Sequence, residues 1–458
     1  MTYPPPFIRQ MQALLGAEYA DFEAALQTSP PVSIRLNSLR TAGNNAFEHP
    51  FAALPQVPWH PGGRYLPERP VFTLDPAFQA GAYYVQEASS MFLYEALRQT
   101  VDFSKKLRIM DLCAAPGGKS TLIASMLDPH RDLLVSNEVI RSRVSSLREN
   151  IEKWGAPNTA VCSAETTDLA GLEDWFDVVV TDAPCSGEGL FRKDPDATRE
   201  WSPASVELCS GRQRRILASA VAALAPGGVL VYSTCTYNRD ENDLNAAWVV
   251  REFDLDPVHL DVPADWNIAA TEYGYQFFPH RVQGEGFFIA VFRKKEGPAR
   301  KHNPASGFKN LKPLAKNQVP ELGRWLRPGA ELRFFETTSG EIMAFPAALE
   351  NDYLVLEKHV RTKWFGANIG EFKGKDFIPG HALALHNQVS PELPGIELSR
   401  EQALLFLKKE TFERTPDMQN GWMLARYKGL NLGWMKVLPN RLNNYLPPER
   451  RIRMDVNE

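Results

Sequence analysis

Only five of 458 residues are cysteine, an odd number, and no two stand in a Cys-x-x-Cys pair. That scarcity excludes a disulfide-stapled scaffold. No cysteine–histidine cluster has the spacing of a zinc site, so no metal is expected. No apolar run is long enough to span a bilayer, and the opening Met1-Thr2-Tyr3-Pro4-Pro5-Pro6-Phe7 carries no basic-then-apolar leader. The expectation is a cytoplasmic protein with no membrane partner, in a reducing compartment where neighbouring thiols are more often catalytic than structural. Charge of one sign is also lacking: the formal net charge is −4, so the chain as a whole gives no sign of a nucleic-acid partner. Neither an internal repeat nor a low-complexity tract is present. With 44% apolar and 23% charged residues, this is an ordinary globular chain of a length that suits two to four domains.

Distribution says more than totals. Residues 1–95 read as a small α+β module: short amphipathic helices in PPPFIRQMQALLG and EYADFEAALQ, a strand in PVSIRLNSLR, and a helical pattern through YYVQEASSMFLYEAL. Residues 96–293 alternate strand and helix: LRIMDL, KSTLIASML, LLVSN, RSRVSSLRENIEKWG, TAVC, DVVVTD, a long helix opened by Ser202-Pro203, GVLVYS, and DENDLNAAWVVREF. This alternation predicts a doubly wound α/β parallel sheet, with YQFFPHR and GFFIAVFRK closing it as an antiparallel pair. Residues 294–316 form a basic linker rich in turn formers, 317–375 a first C-terminal module of short strands, and 376–458 a second β-rich unit. From Gly421 onward that unit has seven basic residues against three acidic ones, interleaved with Trp422, Tyr427, Trp434 and Tyr445. Aromatics in such a pattern are more often core than stacking platforms, and none is singled out as a platform.

Three phrases carry chemistry. Asp111-Leu112-Cys113-Ala114-Ala115-Pro116-Gly117-Gly118-Lys119-Ser120 follows the first strand and opens a helix. It is neither a Walker loop nor a dinucleotide fingerprint, yet its small residues let a ligand approach the backbone at a helix N-terminus. Glu138, at the end of the next strand, is placed to hold ribose hydroxyls. A ligand with ribose and no pyrophosphate fits this combination, and S-adenosylmethionine is such a ligand. The other two phrases, Asp182-Ala183-Pro184-Cys185-Ser186-Gly187 and Ser233-Thr234-Cys235-Thr236-Tyr237, each end a β-branched run. Ligands of open parallel sheets bind beyond the strands' carboxyl ends, so both thiols should face one crevice.

With these phrases in this order, the chain resembles the Nop/Sun family of RNA cytosine-5 methyltransferases. FRKDPDATREWSP, HRVQGEGFFIA and GLNLGWMKVLPNRLNNYLP are similar to its bacterial branch that acts on 16S ribosomal RNA. The resemblance implies a Rossmann-like S-adenosylmethionine-dependent methyltransferase domain, an N-terminal module, and C-terminal modules ending in a PUA-like RNA-binding domain. It implies a monomer whose partner is RNA, 16S rRNA or the small ribosomal subunit. Carried across position by position, Cys113, Ala114, Ala115, Pro116, Gly117, Gly118 and Lys119 would line the cofactor with Glu138, Arg143, Glu165 and Asp182. Many family members have Asp where this chain has Glu165. Cys235 matches the nucleophile, Cys185 the second cysteine that aids release, and Asp182 sits between cofactor and base. Arg192, Lys193, Arg199 and Trp201 are placed to hold flanking nucleotides.

The chemistry asks for such groups. Carbon 5 of cytosine is a poor nucleophile until a thiolate adds to carbon 6, and a free thiol is only partly ionised at neutral pH. Alternatives are a transfer-RNA cytosine-5 methyltransferase and a DNA methyltransferase, whose nucleophile would be Cys185. A non-catalytic ribosome-assembly factor is a third.

Overall fold

The computed structural model describes residues 3–41, 51, 53–361, 363–410, 412–416 and 418–455. Two helices, Pro5–Leu15 and Tyr19–Leu26, precede an antiparallel sheet of β1 (Val32–Leu36), β2 (Gly63–Leu66) and β3 (Tyr83–Val85) in the order β2-β1-β3. The helical pattern expected through Tyr83 is thus wrong at its start. Tyr83, Tyr84 and Val85 pair with β1, and the helix begins only at Leu93. Aromatic and β-branched side chains suit a half-buried strand, and the available edge of β1 decides the outcome.

The central sheet contains β4 (Arg108–Asp111), β5 (Leu133–Asn137), β6 (Thr159–Cys162), β7 (Phe176–Asp182) and β8 (Leu224–Thr234), all parallel. β9 (Asp256–Pro257), β10 (Ala269–Ala270), β11 (Gly274–Phe277) and β12 (Phe287–Arg293) complete one side. There β12 runs antiparallel to β8 and β11 antiparallel to β12, the closing pair that the sequence predicts. β5 is buried at every residue, as expected where helices cover both faces. Strand order reverses at β4, which lies between β5 and β7, so the switch-point crevice opens beyond β4 and β7. Helix Arg141–Trp154 packs beside this crevice and ends at Gly155, whose φ of 84° is the left-handed cap that glycine adopts without strain. Ser202 accepts from Ser205 N at 3.1 Å, and Pro203 starts the long helix Pro203–Ala223.

Beyond the linker, β13 (Leu311–Pro313), β14 (Leu332–Thr337), β15 (Glu341–Pro346), β17 (Ala367–Lys373) and β18 (Asp376–Pro379) form a five-stranded sheet. β16 (Lys363–Phe365) leaves that module and extends the central sheet along β6. A four-stranded sheet follows: β19 (Gly395–Glu397), β20 (Gly421–Tyr427), β21 (Leu430–Leu438) and β22 (Arg441–Asn444). Two expected boundaries move. The divide at 375/376 falls inside the β17–β18 hairpin, where Lys373 pairs with Asp376 across Gly374 (φ 63°). The linker 294–316 already contributes β13 before its end. Short Gly-containing turns join strands rather than domains, which is why turn residues misplaced the first divide.

The modules share cores. Ile34, Phe72, Leu74 and Tyr83 of the N-terminal module pack with Phe406, Met423, Leu432 and Val437 of the last unit. Phe335, Phe345 and Tyr353 of the middle module join the core of the central sheet. Arg450 joins the terminus to helix Arg141–Trp154 through Glu149 at 2.8 Å and Glu152 at 2.6 Å. Among the described residues, no helix is long and apolar enough to cross a membrane.

Candidate active site

β4 ends at Asp111, and the chain turns through Leu112 to Gly117 into helix Gly118–Ala124. Backbone pairing sets this loop: Leu112 N donates to Val180 O at 2.8 Å, and Ala114 N to Asn137 O at 2.8 Å. Asn137 then ties three strand ends together. Its Nδ2 donates to Leu112 O (3.2 Å) and Ala164 O (3.0 Å), and its Oδ1 accepts from Ala164 N (2.9 Å). Gly117 takes φ 114°, where a Cβ would also stand 3.3 Å from Leu147. From helix Arg141–Trp154, Arg143 Nη2 donates to Ala115 O (2.5 Å) and Asn150 Nδ2 to Pro116 O (2.8 Å). Arg143 thus braces the loop from outside.

Glu138 is nearly fully buried beside this loop. One carboxylate oxygen accepts from Ile140 N at 2.8 Å and the other lies 3.3 Å from Arg143 Nη1. Each oxygen keeps a lone pair for a ribose hydroxyl. Glu165 is exposed and caps its own turn with Asp168, its carboxylate accepting from the Asp168 backbone N–H. Beneath the loop lies Asp111, fully buried. Its Oδ2 accepts from Ser120 Oγ at 2.6 Å and its Oδ1 has no partner. Burial pushes this carboxyl up to about 7. The small-residue loop and the open oxygens of Glu138 fit a nucleoside that carries no pyrophosphate.

The two cysteine phrases meet as expected. Sγ of Cys185 and Sγ of Cys235 are 3.0 Å apart, and Cys235 N donates to Cys185 Sγ at 3.3 Å; both thiols are free. The contact with Cys235 and then burial hold the Cys185 thiol well above its ordinary value. Asp182 Oδ1 accepts from Ser233 Oγ at 2.8 Å, and its Oδ2 is 2.7 Å from Lys119 Nζ. Burial opposes the charge on Lys119, but the Asp182 carboxylate outweighs it and the ammonium is held above its usual value. One ion pair thus joins the cofactor loop to the thiol crevice. Burial pushes the thiols of Cys113 and Cys162 up, in keeping with packing roles.

The crevice walls come from residues that the motifs did not flag. Glu188, fully buried, accepts from Tyr237 N and Asn238 N at 2.9 Å each. Glu241, also fully buried, accepts from Ser186 N (3.0 Å) and Gln213 Nε2 (2.7 Å). Asn238 Nδ2 donates to both carboxylates. These carboxylates lock the loop after Cys185 to the loop after Cys235. A signal existed in Glu188 and in Asn238-x-x-Glu241, but charged residues just past a strand ordinarily read as solvated loop.

Two expected RNA contacts are corrected. Trp201 is buried, donates from Nε1 to Glu188 at 3.1 Å, and packs with Phe7 and Phe191. Arg192 and Glu285 form a buried ion pair, 2.8 Å apart with side chains 5% and 4% exposed. The N-terminal helices and the β11–β12 connection cover both residues, and sequence position alone could not show that cover. Lys193 is one-third exposed, 3.8 Å from Glu285, and Arg199 is exposed beside Asp196. Lys193 also borders a groove of about 960 Å³ between the N-terminal module and the central domain, with Arg69, Gln86 and Gln283. Among the described residues, no three histidine, cysteine or acidic side chains gather as a metal site.

The family described as 16S rRNA methyltransferase RsmB/F matches residues 99–293. The N-terminal domain of 16S rRNA methyltransferase RsmF matches 3–88, and the methyltransferase RsmF PUA domain matches 394–452. Ribosomal RNA small subunit methyltransferase F of Vibrio cholerae is 32% identical over 470 aligned positions, covering 98% of each chain. The protein of that name from Escherichia coli O7:K1 is 31% identical over 98% of this chain and 96% of its own. A solved methyltransferase homolog from Pyrococcus horikoshii superposes with a TM-score of 0.53 at 26% identity, covering 64% of this chain and 95% of that one.

Proposed function

Given that this chain belongs to the 16S rRNA methyltransferase RsmB/F family, we propose that its RNA chemistry runs through Cys235. The protein is an RNA methyltransferase of the small-subunit ribosomal RNA class, and methylation at carbon 5 of cytosine is consistent with that family. The observation that carries the mechanism is the pair of free thiols 3.0 Å apart at the ends of adjacent strands, beside the Lys119–Asp182 ion pair.

The Cys113–Lys119 loop and Glu138 would hold S-adenosylmethionine, which would supply the methyl group. Glu165 lies further along the same rim. A base stacked in a helix cannot reach the thiols, so the target cytosine is single-stranded or flipped into the crevice. Asp182 accepts from the exocyclic amine, a donor that uracil lacks. The Cys235 thiolate adds to carbon 6, which leaves carbon 5 nucleophilic. Lys119 stabilises that thiolate and the charge developing on the ring. After methyl transfer a solvent base takes the carbon 5 proton, the carbon 5–carbon 6 double bond re-forms, and Cys235 leaves carbon 6 as a thiolate. Cys185 keeps its proton, because its surroundings disfavour a second thiolate, and donates it as a hydrogen bond to the departing sulfur. This assigns Cys185 to release and Cys235 to attack.

The test is covalent trapping. Cys185→Ala incubated with cofactor and a 16S rRNA transcript should retain RNA through denaturing electrophoresis and methylate at most once. Cys235→Ala should form no adduct and transfer no methyl group. Adduct in Cys235→Ala and none in Cys185→Ala would reverse the roles, as in the DNA-methyltransferase arrangement.

A further inference from the structure

Near the C-terminal end of helix Arg141–Trp154, a cleft of about 420 Å³ opens between the N-terminal module and the two C-terminal modules. None of the residues that line it belongs to the cofactor loop or to either thiol phrase, so it is a site separate from the catalytic crevice. Arg40 enters from the N-terminal module, Arg327, His386 and Asn387 from the middle module, and Arg426 from β20.

Donors dominate this cleft. Arg40 is pinned by donation to Lys153 O (3.0 Å) and to Leu385 O, and it lies over Gly155, where a Cβ would approach Arg40 Nη2 to 2.5 Å. Its Nε has no partner. Arg426 is held by Asn431 Oδ1 (3.1 Å) and Leu393 O (3.2 Å). Arg327 is exposed, and no described side chain pairs with it. His386 is 1% exposed. Its Nδ1 accepts from Gln388 N at 3.1 Å, which places the ring proton on Nε2, and that buried donor has no partner. The buried Oδ1 of Asn387 is also unpartnered. Glu397, the acid in the cleft, is occupied by Gly429 N at 3.2 Å from each oxygen.

Three guanidinium groups, a lining histidine whose buried imidazole N–H has no partner, and one engaged carboxylate call for an anion with several acceptor oxygens. The volume lies within the range of small-ligand sites. We propose that this cleft is a second RNA-binding site, gripping a backbone phosphodiester of the RNA substrate by Arg40, Arg327, Arg426 and His386. It rests on the RNA-methyltransferase reading and adds to it a contact outside the catalytic crevice. Phosphate contacts position an RNA without reading its sequence, so the site sets register for whichever base enters the crevice.

Arg327 is the residue to change, because it is exposed and its removal leaves the joint intact. Full-length wild type, Arg327→Ala, Arg327→Glu and the control Arg324→Ala are compared by filter binding to a 16S rRNA transcript over a salt series, with methyl transfer to the same transcript. Arg324 lies three residues away and is paired with Glu321. Arg327→Ala should bind the transcript and an unrelated RNA more weakly by the same factor. Its slope of log affinity against log salt should fall by about 0.7–0.9. KM for RNA should rise with kcat unchanged, and Arg327→Glu should be worse on every count. If both Arg327 variants match Arg324→Ala in affinity and slope, the proposal is overturned while the catalytic reading stands. A wild-type protein that neither binds nor methylates the transcript overturns both.

Discussion

Asp111 illustrates how a single side chain constrains the cofactor loop. It is a fully buried acid with one serine donor and one unpartnered oxygen, and burial raises it to about 7. In the unfolded chain it titrates near 3.9. Between about pH 4 and 7 the unfolded state releases a proton that the native state retains. Stability contributed at this site therefore falls as pH rises through that window and levels off above it. Asp111→Asn removes the titration. Its melting temperature relative to wild type should climb from pH 5 to pH 8, by the equivalent of a few kcal/mol at most. A difference that stays constant across that range would show that Asp111 ionises freely in the folded protein.

At the level of elements, the catalytic loops are held by buried charge. The Arg192–Glu285 pair joins the loop after Cys185 to the turn before β12, and Arg192 Nη2 also donates to Gly284 O at 2.8 Å. Removing one partner of a buried pair strands the other, at a cost of about 3–5 kcal/mol. Arg192→Ala should lower the denaturation midpoint by that order with no RNA present. A variant of wild-type stability and weakened RNA binding would restore Arg192 to the RNA surface. The same residues show what was legible in the chain. The thiol phrases, the cofactor loop, Glu138 and nearly every strand of the central sheet were readable, because local pattern specifies β-branched strands and the turns that follow them. Trp201, Arg192, Glu188 and Glu241 were not. The burial of the first three depends on helices Pro5–Leu15 and Tyr19–Leu26 packing over the loops from almost two hundred residues away, and that of Glu241 on Gln213 of helix Pro203–Ala223; periodicity carries no such information.

The whole molecule behaves as one body because its first and last modules share a core. Ile34, Phe72, Leu74 and Tyr83 lie against Phe406, Met423, Leu432 and Val437, and Arg450 ties the terminus to helix Arg141–Trp154. The PUA unit therefore cannot be cut away as an appendage. Removing residues 394–458 would expose those N-terminal side chains, each worth about 1.5–3 kcal/mol when fully buried, and would leave Glu149 and Glu152 without Arg450. That loss approaches the whole stability of a typical domain. Wild type should melt in a single calorimetric transition, and the truncated chain should melt far lower, bind a hydrophobic dye and lose methyl transfer with RNA affinity. The alternative is a detachable reader domain. It would give two resolved transitions in wild type and a truncated protein that is fully folded, weak for RNA and normal in cofactor binding. Calorimetry of the intact chain separates the two, and the shared core favours the single transition.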